Sequence, residues 1–200
     1  MLVLALCALA VASPLVALRW PAGLLLHRWR WALLIWATLA LQVVAVEVEM
    51  PEALAATLHV ATYVVALGFL WVNRRVAGVW VVAAGAFTNG LAIALNGGVL
   101  PARAGAVSAA GLNLDPAFSN SAVLEHPILP WLGDVFAWPA PLPLANTFSV
   151  GDILIVVGAF VAAWTGTRRL GAAESPEQAS TQGPPQGPAQ APPQVPAASG

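Results

Sequence analysis

The chain contains no lysine, a single cysteine and only 8% charged residues over 200 positions. With 59% hydrophobic residues and a mean hydropathy of +0.78, it has too little polar side chain to cover a soluble globule, and the composition predicts a membrane protein. Cys7 lies inside the first apolar run, so an intramolecular disulfide is excluded and the thiol reads as a packing or lipid-facing group. The formal net charge is −1 and the basic residues, all arginine, form no single patch, which argues against nucleic acid. His27, His59 and His126 share no ligand spacing and no second cysteine accompanies them, so no metal site is expected. Gly97-Gly98 follows a helix rather than a strand, and there is neither a Gly-x-Ser-x-Gly nor a nucleotide fingerprint. No cofactor is expected.

What the chain does have is long apolar runs. A spanning helix needs roughly 20 apolar residues to cross about 30 Å of hydrocarbon, and five stretches approach this: 2–18, 31–48, 54–72, 76–95 and 150–164. Seven of the eight arginines fall at alternate ends of these runs: Arg19, Arg28 and Arg30 after the first, Arg74 and Arg75 between the third and fourth, Arg168 and Arg169 after the fifth. Glu47, Glu49 and Glu52 occupy a connection with no arginine. Because basic residues are retained on the cytoplasmic side, the pattern predicts an N-terminus outside and a C-terminus inside. Trp20, Trp29, Trp31, Trp71, Trp80 and Trp164 fall on the arginine side, and Trp131 and Trp138 on the other. Indole prefers the headgroup level, so the tryptophans support the same arrangement. Residues 1–18 lack a basic region ahead of the apolar run, which predicts an uncleaved first helix rather than a secretory signal.

Between the fourth and fifth runs lies an outer segment, about 96–149. Asn96-Gly97-Gly98 ends the fourth run with residues that tolerate positive φ, and Pro101 prevents the helix from resuming. Helix-like pieces are expected near 102–111 and 120–124, followed by a proline-broken apolar stretch over 127–144. Since irregular backbone is not tolerated against lipid, this segment should lie at the interface or fold over the helices. Residues 170–200 are dominated by Pro, Gln, Ala, Gly and Ser and read as a disordered cytoplasmic tail. The expectation is therefore an all-α integral membrane domain of five spans over 1–169, followed by that tail.

Within the apolar runs a few polar side chains stand out. Gly85, Thr88, Asn89, Ala92 and Asn96 recur at helical spacing, a small and polar stripe that should face protein rather than lipid. Asn89 and Asn96 serve there either for packing or as the lining of a polar pocket. Ser149 and Asp152 fit a shortened capping box at the start of the last run, and an ionisable residue at such a place is costly unless capped, paired or functional. Asp134 precedes Asp152 by eighteen positions and should lie at the same outer end. Two carboxylates brought close in a low dielectric cannot both ionise, so such a pair can work as general acid and general base.

The ordered runs Asn96-Gly-Gly-Val-Leu-Pro101, Leu129-Pro-Trp-Leu-Gly-Asp134-Val and Phe148-Ser-Val-Gly-Asp152-Ile resemble the bacterial family known as domain of unknown function 5317. The resemblance covers about 1–169 and implies a small multi-pass protein of the bacterial cytoplasmic membrane, with no activity attached. A second, local resemblance is to lipoprotein signal peptidase, a membrane aspartyl peptidase. Gly133-Asp134-Val-Phe136, Trp138-Pro139 and Phe148-Ser-Val-Gly-Asp152 are similar in order and spacing to its motifs, which implies Asp134 and Asp152 as a catalytic pair. Ser149 stands where the peptidase has asparagine, Gly151 where it has alanine, and no Asn-x-x-Asp-Arg follows from Asn89. Two readings result. One is a binding, scaffolding or regulatory component, embedded in the lipid bilayer, with a membrane protein or a second copy of itself as partner. The other is an aspartyl peptidase. An odd number of spans gives no even inverted repeat and disfavours a transporter.

Overall fold

The computed structural model describes residues 1–48, 51–112 and 121–170. The chain is mostly helical, with seven α-helices among the described residues: α1 Leu2–Val16, α2 Ala22–Leu25, α3 Ala32–Glu47, α4 Glu52–Val72, α5 Val79–Leu95, α6 Ala104–Ala109 and α7 Val150–Trp164. A 3-10 turn covers Pro130–Leu132. The all-α expectation is corrected by three two-stranded ladders, β1 Arg19–Trp20 with β6 Arg168–Arg169, β2 Leu100–Pro101 with β3 Ser121–Ala122, and β4 Asp134–Trp138 with β5 Asn146–Ser149. The helical piece expected over 120–124 is likewise corrected. Ser121–Ala122 runs parallel to Leu100–Pro101, because the loop returns beside the end of α5 and its backbone finds partners there rather than within itself. The piece expected over 102–111 is present as α6. The tail lies outside the described residues, as do Glu49 and the stretch 113–120.

One helix, α4, is by itself long and apolar enough to cross a membrane, at 21 residues. The other long helices are apolar but shorter; α1 and α7 have 15 residues and α5 has 17, or about 22 to 26 Å at 1.5 Å per residue. The fourth run starts three residues later than expected, because Gly78 takes a left-handed conformation (φ 82°) as the N-cap of α5. Large apolar side chains cover the outside of these helices; Leu33 is 86% exposed, Trp36 69% and Leu4 68%. Continuous apolar surface on that scale is not what a water-facing protein shows.

The long helices form a row in the order α1, α7, α5, α4, α3. α1 and α7 run side by side in the same direction, since Val3 and Leu6 line a groove with Phe148 and Asp152 at one end while β1 pairs with β6 at the other. The tightest crossing is α5 on α7. It depends on glycine, because a Cβ on Gly158 would stand 2.6 Å from Val82 Cγ2 and 2.7 Å from the Val82 backbone nitrogen. Gly85 and Gly151 sit in equally close contact one to two turns further along. Small residues let two backbones approach, which is what the stripe on the fourth run predicts, and Gly85, Asn89 and Ala92 are buried there.

Three features gather the arginine clusters at one end of this row. Arg19 and Arg169 are cross-strand partners. The backbone N–H of Arg30 donates to Asn73 Oδ1 (3.1 Å) while Asn73 Nδ2 donates back to the Arg30 carbonyl (3.0 Å), next to Arg74. Gly78, at the start of α5, packs on Gly158 and Ala162 in the second half of α7. The β4–β5 hairpin, the 3-10 turn and β2–β3 cover the other end.

Asn96 does at this covered end what Asn73 does at the arginine end. Its Oδ1 accepts the Ile128 N–H (2.7 Å) and its Nδ2 donates to the Ile128 carbonyl (2.9 Å), so the amide stands in for one residue of a β-ladder and holds the returning loop. Gly97 and Gly98 take φ of 70° and 95°, the left-handed turn expected after the fourth run. Gly98 then lies against Ala56, where a side chain would collide.

Candidate functional site

The site lies where the hairpin meets the first turn of α7 and the half of α5 away from the arginines. Its local part is a capping box. Ser149 Oγ accepts the Asp152 N–H (3.0 Å), and Asp152 Oδ2 accepts the Ser149 N–H (2.9 Å). Two of the N–H groups that a helix start leaves unpaired are satisfied in this way, and the negative charge sits at the favourable end of the helix dipole.

The rest is built by the α5–α7 crossing. Because Gly151 has no side chain, Asn89 approaches the start of α7 and uses both ends of its amide there. Asn89 Nδ2 donates to Asp152 Oδ1 (2.9 Å) and Ser149 Oγ donates to Asn89 Oδ1 (2.8 Å). Ser149 is fully buried and Asn89 nearly so. Asn89 is thus a bridge between α5 and the capping box, whereas Asn96 is a clamp on the loop that carries Ile128 rather than part of this cluster.

Asp134 enters from the hairpin. Its Cα partner across the ladder is Ser149, three residues before Asp152, so strand register closes the eighteen-residue gap. Asp134 is 6% exposed; its carboxyl accepts the Thr147 hydroxyl on Oδ2 (3.2 Å) and takes a further hydrogen bond from the Ser121 side chain. Its main-chain carbonyl accepts the Arg103 N–H (3.0 Å) at the start of α6. Burial, reinforced by the charge of Asp152, raises Asp134 from 3.8 to about 6, against the opposing pull of the two hydroxyl hydrogen bonds. The donors named here for the two carboxylates are all neutral: hydroxyls, one amide and one backbone N–H. A network of that kind supports one negative charge more readily than two.

Two further residues belong to the surroundings: His59, weighed in the sequence only as a metal ligand, and Tyr63, which the sequence did not single out. His59 is wholly buried on α4, with Nδ1 donating to the Gly98 carbonyl (2.7 Å) and its ring 5.6 Å from that of Tyr63. Tyr63 lies within electrostatic reach of both Asp134 and Asp152 and packs on Gly90 of α5. A polar ring one to two turns into an apolar run is a signal in its own right, though it does not name its partner. His27 instead packs edge-on against Trp29 near the arginine end, and His126 is exposed. Among the described residues no three His, Cys, Asp or Glu side chains are grouped to hold a metal. Below the cluster, Ile35, Tyr63, Phe69, Val82 and Ile155 line an apolar cavity of about 260 Å³ between α3, α4, α5 and α7.

Comparison with known proteins places these residues in a family. An uncharacterized protein of Thermotoga maritima is 37% identical over 97 residues, which is 48% of this chain and 55% of that protein, so the chain spans about half the length of this relative. No solved structure matches. The model of the family of unknown function DUF5317 matches residues 26–164, a stretch that runs from just before α3 to the end of α7 and holds Asn89, Asn96, Asp134, Ser149 and Asp152. The chain belongs to the family of unknown function DUF5317.

Proposed function

We propose that the protein is a five-span component of a bacterial cytoplasmic membrane, N-terminus outside and C-terminus cytoplasmic, that binds, scaffolds or regulates another membrane component at its capped outer end. The observation that carries this reading is the use made of Asp152. One carboxylate oxygen accepts from Ser149 and the other from Asn89, so the group fastens hairpin, α7 and α5 together. Retention of arginine on the cytoplasmic side orients the row, and the shorter apolar helices complete their crossing through local thinning of the bilayer and flanking tryptophans at the headgroup level. A reporter fused after Arg169 is expected to be active only in the cytoplasm; extracytoplasmic activity would overturn the orientation.

A second reading is favoured by the coupling of the two aspartates. Burial and the neighbouring Asp152 favour a proton on Asp134, which is the direction a proton-sharing aspartyl peptidase pair needs. Asp152 would take a proton from water as the oxygen attacks a peptide carbonyl, and Asp134 would give its proton to the leaving amine. The two readings separate in a strain that lacks the protein. Under the first, Asp134→Asn and Asp152→Asn restore the phenotype at normal abundance, since asparagine keeps a cap at modest cost. Under the second, either variant is folded and present but fails to restore it.

A further inference from the structure

Asp134 is the point at which the separate pieces of the cap meet. Its side chain is bonded from β3 through Ser121 and from β5 through Thr147, and its main chain from the start of α6. Across the ladder stands Ser149, which is tied to α5 through Asn89 and to α7 through Asp152. Whatever the charge on Asp134, it is therefore felt by all the elements that close this end.

We infer that the outer cap is fastened by a proton-dependent latch: with Asp134 protonated the hairpin stays seated on α5 and α7, and with Asp134 ionised in its buried place beside Asp152 the hairpin loosens. The inference rests on the proposed reading only in calling this end the outer one, where the proton activity is that of the cell exterior. The latch itself follows from the hairpin register and the neutral donor set.

The titratable and charged groups around Asp134 can be named element by element. α7 presents Asp152, which opposes ionisation of Asp134. α4 presents Tyr63, within electrostatic reach of both carboxylates, with His59 against the Tyr63 ring. Arg103, the N-cap residue just before α6, engages Asp134 through its backbone N–H while its side chain is exposed. β3 and β5 present only hydroxyls, and the 3-10 turn Pro130–Leu132 carries no titratable group. Cys7 of α1 lies within electrostatic reach of Asp152 on its far side.

The sign follows from linkage. In the folded chain Asp134 is held at about 6 against 3.8, so the folded state keeps a proton that the opened state releases. Protection of the cap is then full below about pH 4, falls as pH rises from about 4 to about 6, and is level above that. A shift of roughly two pH units corresponds to about a hundredfold in the opening equilibrium.

The test is hydrogen exchange of peptides covering 134–149 in the purified full chain in lipid nanodiscs at pH 4.5 and pH 8, corrected for the intrinsic pH dependence of exchange. The expected result is protection at pH 4.5 that exceeds pH 8 by about ten- to a hundredfold, with helix α4 unchanged. In Asp134→Asn, which is permanently neutral, the hairpin should be protected at both pH values. Equal protection in the unaltered protein at both pH values, or full pH dependence retained in Asp134→Asn, overturns the latch. Should that variant fail to fold, the carboxyl stretch of the unaltered protein in infrared difference spectra decides. A protonated carboxyl lost with a midpoint near 6 supports the latch, and none above pH 5 overturns it. Because these readouts do not depend on which way the chain is inserted, a failed latch and a failed orientation are distinguishable.

Discussion

Gly158→Ala is expected to destabilise the protein by about 2 to 3 kcal/mol although it adds a single methyl group. In an ordinary helix the change would gain about 0.5 to 1 kcal/mol, since alanine loses less backbone entropy than glycine. Here the new Cβ would stand 2.6 Å from Val82 Cγ2, 2.7 Å from Val82 N and 2.8 Å from the Gly78 carbonyl oxygen. Two of these atoms are backbone and cannot rotate away, so α5 and α7 must separate. The consequence travels, because the same crossing sets the approach of Asn89 to Asp152. Gly105→Ala is the control. It lies in α6 with nothing within 4 Å of the added atom, and should be neutral or slightly stabilising. Detergent unfolding curves of the two variants check the contrast, and equal midpoints would rule out a backbone-tight α5–α7 crossing.

Asn89→Ala is the second change with a large expected effect, about 2 kcal/mol. Truncation removes the donor to Asp152 Oδ1 and the acceptor of the Ser149 hydroxyl together. Ser149 is fully buried, and an unpaired hydroxyl there has no water to turn to. Ser149→Ala alone removes the N-cap acceptor for Asp152 N–H and should cost about 1 kcal/mol. The double variant should cost less than the sum, by about 1 kcal/mol, because each single change already orphans the other partner. Strict additivity would mean that Asn89 and Ser149 do not act as one unit.

The local parts of this arrangement were legible in the sequence. Ser149 and Asp152 are three apart at the start of an apolar run, and a capping box needs nothing more distant than that. The stripe Gly85, Asn89 and Ala92 announced a protein-facing side of α5 through its helical period alone. The left-handed turn at Gly97-Gly98 was visible as residue type. The partners were not. Nothing in the residues around Asn96 names Ile128, thirty-two positions on, and Asn73 drew no notice because an asparagine after a helix is common whether or not it clamps a second segment. The 120–124 piece was read as helix because short polar and small residues fit either state; pairing of Ser121–Ala122 with Leu100–Pro101 depended on where the loop returns.

Composition and short-range order therefore determined the mostly helical chain, the approximate extent of its long helices, the segregation of arginine and the cap on α7. Each of these depends on a residue and its neighbours within a turn or two, or on the cost of placing charge in hydrocarbon. The joining of Asp134 to the capping box, the bridge through Asn89 and the burial of His59 under Gly98 were decided by tertiary structure alone. They rest on strand register and on how closely α5 can approach α7. Both are properties of packed backbones rather than of any stretch of sequence, and they set which polar groups share a desolvated site and so which of them can hold a proton.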